Sequence, residues 1–191
     1  MVKVTQDDFI GSGLHRNVYH HPDNNNYCIK IVVNGDDSET KREQSYYNHL
    51  RERNINWDML PQFVGNIDTN MGAGAVFELV KDYDGEISKT FEYYLNSETL
   101  MKQYSDSLRQ AVADLHTYLL ENRIITMTLK PKNIMFKKLS ESKGRLVIID
   151  NIGNSDLIPL ANYLPSVASK KIQRKWQRFI ESLQNDFAFS A

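Results

Sequence analysis

Apolar and polar positions change their spacing part-way along the chain. Before residue 80 the spacing is that of strands. Residues 9–19 read as strand, glycine turn, strand, and the turn formers His21 to Asn26 predict a hairpin connection. Residues 27–33 follow as a buried strand that carries one lysine, Lys30. After the loop 34–38, Glu43, Tyr46, Tyr47 and Leu50 recur at helical steps and share one face. Residues 61–66 predict a turn and a strand, and 75–80 another apolar strand closed by a turn at 81–85. Beyond that turn helical spacing takes over. Leu108, Val112, Leu115 and Leu119 mark one helix, or two, over 97–121. An apolar run at 145–149 predicts a further strand, and Ile172, Trp176, Phe179, Ile180 and Leu183 stripe a last helix over 169–183.

Composition narrows the class. The chain has 191 residues, a net charge of −1 and 41% apolar residues, values of a soluble globular protein with one domain or two lobes. Near-zero net charge gives no global pull toward nucleic acid. Cys28 is the single cysteine, so no intramolecular disulfide forms and a reducing cytoplasm is expected. Met1 to Asp8 lacks a basic stretch followed by an apolar core, so no signal peptide is expected. The longest apolar runs are too short to span a bilayer. The five histidines show no metal-ligand spacing, no G-x-S-x-G elbow occurs, and nothing around Cys28 marks a nucleophile.

Several residues carry candidate chemistry, each with a plainer reading beside it. Gly11-x-Gly13, followed by Val18, fits a phosphate-covering glycine loop or an ordinary hairpin turn in which glycine supplies positive φ. Lys30, inside an apolar strand, needs a counter-charge or a cleft, or else snorkels from an edge. Glu43 lies on an apolar helix face, where a carboxylate wants a cation, and Lys30 is the first candidate. The alternative is a capping box, Thr40-x-x-Glu43, unless Asp36 or Asp37 caps the helix earlier. Lys130 and Lys132 flank Pro131 in a loop, where both could simply be solvated. Asp150, at the end of an apolar strand, suits a metal or an Asx turn. His116 reads as a half-exposed helix histidine. Lys170, Lys171, Arg174, Lys175 and Arg178 form the basic side of the last helix. That side is a solvated face or a contact surface, over 169–183, for anionic membrane or an acidic partner.

In order along the chain, Gly11-x-Gly13, Lys30, Glu43, Leu129-Lys130-Pro131-Lys132-Asn133 and the strand ending in Asp150 resemble the active-site layout of protein kinases. More narrowly, the run from Asn122 to Asn133, including Ile125 to Pro131, with Asp150-Asn151-Ile152-Gly153 and Leu157-Ile158-Pro159-Leu160, resembles the small bacterial YrbL proteins of the PhoP regulatory network family. Arg174, Trp176, Arg178 and Phe179 fit the same family. The resemblance covers nearly the whole chain. It implies an α+β, kinase-like, two-lobed fold: a β-rich N-lobe over 1–80 and a short, mostly helical C-lobe over 81–191. It implies ATP with Mg²⁺ or Mn²⁺ as cofactors. Gly11, Gly13, Val18, Cys28 and Lys30 would line the nucleotide, with the Glu78 carbonyl and Val80 N–H on the adenine edge. Lys30 and Glu43 would form the phosphate-holding pair, Asn133 and Asp150 would hold the metal, and Lys130 would sit against the transferred phosphoryl group.

The departures from the pattern are specific. Thr126-Met127-Thr128 stands where kinases have H-R-D, so Thr128 occupies the catalytic-Asp position. Asp150-Asn151-Ile152 replaces D-F-G, with a glycine one place late at Gly153, and Arg16 replaces the third loop glycine. From the length of the stretch after Asp150, no peptide-holding platform is expected. The expected function is an ATP-binding, kinase-like protein of bacterial stress and envelope regulation. It acts either as an atypical phosphotransferase on a small-molecule or protein acceptor, or as a pseudokinase. The alternative is a regulatory interaction module that keeps the fold without binding nucleotide.

Overall fold

The computed structural model describes residues 1–34, 37–153 and 160–190. Asp36, one of the two candidate helix caps, lies outside the described residues, as does Leu157-Ile158-Pro159. The architecture is mixed α and β with antiparallel sheets, in two compact units. The first comprises Met1–Asn48 and Pro61–Leu79, the second His49–Leu60 and Val80–Ala191.

The first unit is a five-stranded antiparallel sheet in the order β1-β2-β3-β5-β4. Its strands are β1 (Phe9–Ser12), β2 (Arg16–His20), β3 (Tyr27–Val32), β4 (Phe63–Thr69) and β5 (Gly72–Glu78). Strand alternation sorts the side chains onto two faces. Tyr19, Ile29, Ile31 and Val76 join Val4 in one apolar cluster. On the opposite face Phe77 meets Tyr47 and Phe63 at ring distances of 5.4 and 5.3 Å. Tyr47 belongs to helix α1 (Ser38–Glu52), whose Glu43, Tyr46, Tyr47 and Leu50 are all buried as their spacing predicts. The helix starts at Ser38, and Lys41 N–H donates to the Asp37 carbonyl at 2.9 Å. Thr40 is therefore inside the helix, and the Thr40–Glu43 capping box does not form. Glu43 sits mid-helix.

The second unit holds a three-stranded sheet, β6 (Lys89–Thr90), β7 (Ile134–Lys138) and β8 (Gly144–Ile148), in that order. Around it lie α2 (Phe91–Leu95), α3 (Glu98–Gln103), α4 (Ser105–Glu121), α5 (Leu160–Tyr163) and α6 (Pro165–Phe187). The expected 97–121 helix is thus two helices that meet at Tyr104. Helix α2, capped by the Thr90 hydroxyl, precedes them without an apolar stripe to announce it. Leu108, Val112, Leu115 and Leu119 are buried on α4. Tyr94 and Tyr104 pack edge-on against Phe136 of β7, with centroids 4.9 and 5.9 Å away. Helix α6 is longer than its stripe suggested, and Trp176 stacks on His116 of α4 at 4.6 Å, nearly parallel. No helix among the described residues is long and apolar enough to cross a membrane.

Candidate functional site

In the first unit, hairpin register puts Gly11, Val18, Lys30 and Ala75 directly opposite one another across β1, β2, β3 and β5. Residues paired in this way share a face, so the four form one row. Cys28 and Phe77 form the next row on that face. A Cβ added at Gly11 would meet nothing within 4 Å, and one at Gly13 only the Arg16 carbonyl at 3.5 Å. Neither glycine has positive φ. The turn reading, in which glycine supplies positive φ, is therefore corrected: Gly11 lies within β1 itself, and the space above it is open.

Lys30 is 8% exposed. Its ammonium lies 3.8 Å from Glu43 Oε1 and 4.4 Å above the Phe77 ring, a cation–π geometry. Sequence reasoning paired Glu43 with Lys30 alone. The guanidinium of Arg16 reaches the same carboxylate through Oε2 and is its closer partner. In the sequence, Arg16 reads only as the replacement for the third loop glycine. The available signal was β2 alternation, which puts Arg16 on the same face as Val18, and hence as Lys30. One buried carboxylate thus faces two cations. Cys28 is buried beside this row, and burial pushes its thiol pKa up, so it is a sluggish nucleophile. Glu78 ends β5, and its carboxylate accepts from Gln62 N–H at 2.9 Å.

In the second unit, the end of the β7–β8 hairpin gathers the metal-type residues. Ile134 pairs with Ile148, and Ile149 N–H donates to the Asn133 carbonyl at 3.0 Å. Asn133 and Asp150 therefore emerge at the same end of one hairpin. Asp150 Oδ1 accepts from Asn151 N–H at 2.9 Å, a contact with the next residue and not the two-residue reach of an Asx turn. Asn151 has φ of 62°, and Gly153 of 128°. The segments 125–127 and 151–153 are zipped together. Met127 N–H donates to the Asn151 carbonyl at 2.8 Å, Gly153 N–H to the Ile125 carbonyl at 2.9 Å, and Thr126 bridges Ile152. Thr126 is buried, whereas Thr128 and Lys130 are exposed. No cluster of three His, Cys, Asp or Glu residues suited to a metal occurs among the described residues. An ion here would need Asn133, Asp150 and oxygens from a ligand.

Val80 opens the second unit. Its carbonyl accepts from Ser88 N–H at 3.1 Å, while its own N–H has no acceptor among the described residues. The turn that follows is held by Asp82, a buried carboxylate. It accepts from the Ser88 hydroxyl at 2.6 Å and Lys138 N–H at 2.9 Å, and pairs with the Lys138 ammonium at 3.2 Å. The hydrogen bond to Asp82 holds the Lys138 pKa above the ordinary lysine range. Sequence reading missed this pair, whose members lie far apart in the chain.

A cavity of about 430 Å³ lies wholly within the second unit, lined by Thr128, Lys130 and Lys132 on one side and by α6 on the other. The basic face assigned to α6 is corrected here. Lys171 is buried at 8% exposure. Lys175 is half-buried and donates to the Met127 carbonyl at 2.5 Å. Only Lys170, Arg174 and Arg178 of that set remain exposed.

The family model for PhoP regulatory network protein YrbL matches residues 2–184. Among curated proteins, the uncharacterized protein YrbL of Escherichia coli (strain K12) is 39% identical over 183 residues. That alignment covers 94% of this chain and 87% of the relative. The uncharacterized protein YrbL of Shigella flexneri matches to the same extent.

Proposed function

The chain belongs to the family of PhoP regulatory network protein YrbL, and from that premise we propose that it is a kinase-like protein that binds Mg·ATP. The observation that carries this reading is the row Gly11–Val18–Lys30–Ala75. It presents a buried ammonium in line with a glycine whose upper side is open and whose backbone requires no glycine. Glycine at such a place leaves room for something to approach the strand closely. The two units then correspond to the N- and C-lobes of a kinase.

In this reading Lys30, steered by Glu43, holds the phosphates. The Val80 N–H supplies a donor for the adenine edge, which its lack of an acceptor supports. Asn133 and Asp150 hold the divalent ion, which when bound neutralises phosphate charge. Lys130 faces the terminal phosphate. Thr128 has no carboxylate to orient an acceptor hydroxyl, and its own hydroxyl does not ionise near neutral pH. Loss of a general base removes roughly 10²–10⁴ in rate. That favours a pseudokinase, or a slow phosphotransferase, over a fast kinase.

The test is thermal unfolding with nucleotide. A ligand that binds only the native state at a hundredfold excess over Kd adds about 2.7 kcal/mol, or roughly 5–10 °C for a chain of this length. Mg·ATP should raise Tm, and Asp150→Asn should remove the metal-dependent part of the rise. No shift at millimolar nucleotide, with Mg²⁺ or Mn²⁺, would leave the interaction module without nucleotide as the better reading.

A further inference from the structure

We propose that the cavity between the Thr128–Lys132 segment and α6 is a binding site for a phosphomonoester dianion on a small, partly apolar body. It lies entirely within the second unit and does not depend on the nucleotide reading. Among the described residues, its walls carry four cations, Lys130, Lys132, Lys175 and Arg178, against two carboxylates, Glu92 and Asp186. The excess of two positive charges matches a phosphomonoester near neutral pH, whose charge is about −1.5 to −2. Among the described residues, the side chains of Lys130, Lys132 and Arg178 make no ion pair or hydrogen bond. Those three cations are therefore not neutralised by protein carboxylates. Lys175 is different, because its ammonium is anchored on the Met127 carbonyl and fixes the inner wall.

The remaining lining argues for a body as well as a charge. Half-buried Phe187 supplies apolar surface, with Leu129 and Phe179 buried behind the wall, and about 430 Å³ falls within the range of small-molecule pockets. A bare inorganic anion would leave that surface uncovered. Should the nucleotide reading also hold, Thr128 and Lys130 make this the place where a phosphoryl acceptor would rest.

The probes are phenyl phosphate, glycerol 3-phosphate, inorganic phosphate and benzoate, titrated calorimetrically into the full chain at low and high salt. Phenyl phosphate should bind most tightly, with affinity that falls as salt rises. Lys132→Gln and Arg178→Gln, both at exposed positions, should each weaken it about tenfold. Asp186→Asn should strengthen it, a change of opposite sign that a merely structural role would not give. Lys170→Gln, on the same helix but outside the cavity, should change nothing. Lys30→Met separates the two sites: phenyl phosphate binding that vanishes in Lys30→Met but survives Arg178→Gln would assign the anion to the nucleotide site and overturn the proposal. So would the absence of any heat from all four probes at millimolar concentration, or equal affinity for benzoate and phenyl phosphate.

Discussion

Glu43 is the residue on which the first unit's chemistry turns. Its carboxylate is 4% exposed and faces both Arg16 and Lys30. Glu43→Ala leaves two cations beside an apolar helix face, and removing one member of a buried ion pair costs about 3–5 kcal/mol. A urea midpoint lowered to match that loss is the expected result. Lys30→Met is a different change, since Arg16 stays on Glu43 and the methionine fills similar volume over Phe77. Stability should stay within about 1 kcal/mol of the parent, while the nucleotide-induced shift disappears. If the two variants unfold alike, the division of labour between Arg16 and Lys30 is wrong. The helix position of Glu43 was legible from the spacing of Tyr46, Tyr47 and Leu50. The partnership with Arg16 was legible only as far as alternation carries it, to the face of Val18; the pairing that brings that face to Lys30 depends on strand register, which a single glycine-rich hairpin leaves open.

At the scale of elements, periodicity found most helices but placed some charges wrongly. Lys171 and Lys175 are four apart, and Lys175 is four before Phe179, so both flank the buried stripe that their own spacing defines. Counting charge alone put them on the water side. Helix α2 was invisible because five residues make no stripe. Two element-level predictions follow from packing. A Cβ at Gly144 would lie 2.2–2.7 Å from the ring of fully buried Phe136. Gly144→Ala should therefore lower stability by about 1–3 kcal/mol through overpacking in β7–β8, read by thermal melting. His116, stacked on Trp176, has its pKa lowered by burial. In the folded state it protonates below the ordinary histidine value of about 6.5, whereas unfolded chain protonates near that value. The unfolded state thus binds more protons as pH falls below that value, and native stability drops with it. His116→Phe should flatten this part of the pH–stability profile, and a profile unchanged by the substitution would place the dependence elsewhere.

At the scale of the whole molecule, the order of chemical segments was readable from the chain, as was the change from strand to helix spacing near residue 80. The grouping of residues 49–60 with the second unit was not readable. That stretch lacks a clear period, and long-range contacts place it: the Tyr118 hydroxyl donates to the Asn56 carbonyl at 2.6 Å, Ile148 N–H to the Met59 carbonyl at 3.0 Å, and Arg145 pairs with Asp58 at 3.3 Å. Nor did the spacing announce that the second unit builds a sheet of its own. The functional test at this scale is Thr128→Asp, which restores a carboxylate two residues before Lys130. Phosphoryl transfer should appear or rise, by no more than roughly 10²–10⁴, with nucleotide affinity slightly weakened by the added anion. The gain should vanish in the Thr128→Asp/Lys30→Met double variant. A parent protein that already turns over ATP, and loses that activity in Thr128→Asp, would assign Thr128 to a different mechanism.

The zip between residues 125–127 and 151–153 constrains how Asp150 can move. Asp150 is next to Asn151, whose carbonyl is held by Met127, and the hold extends through Ile152 to Gly153. Moving the backbone that carries the acid, as a segment-wide on–off switch would require, means breaking the backbone hydrogen bonds of Asn151 and Gly153. The amide hydrogens of Met127 and Gly153 should accordingly exchange with deuterium slowly and in concert, as parts of one opening unit. Any effector that turns the protein off by displacing Asp150 should speed the exchange of both together.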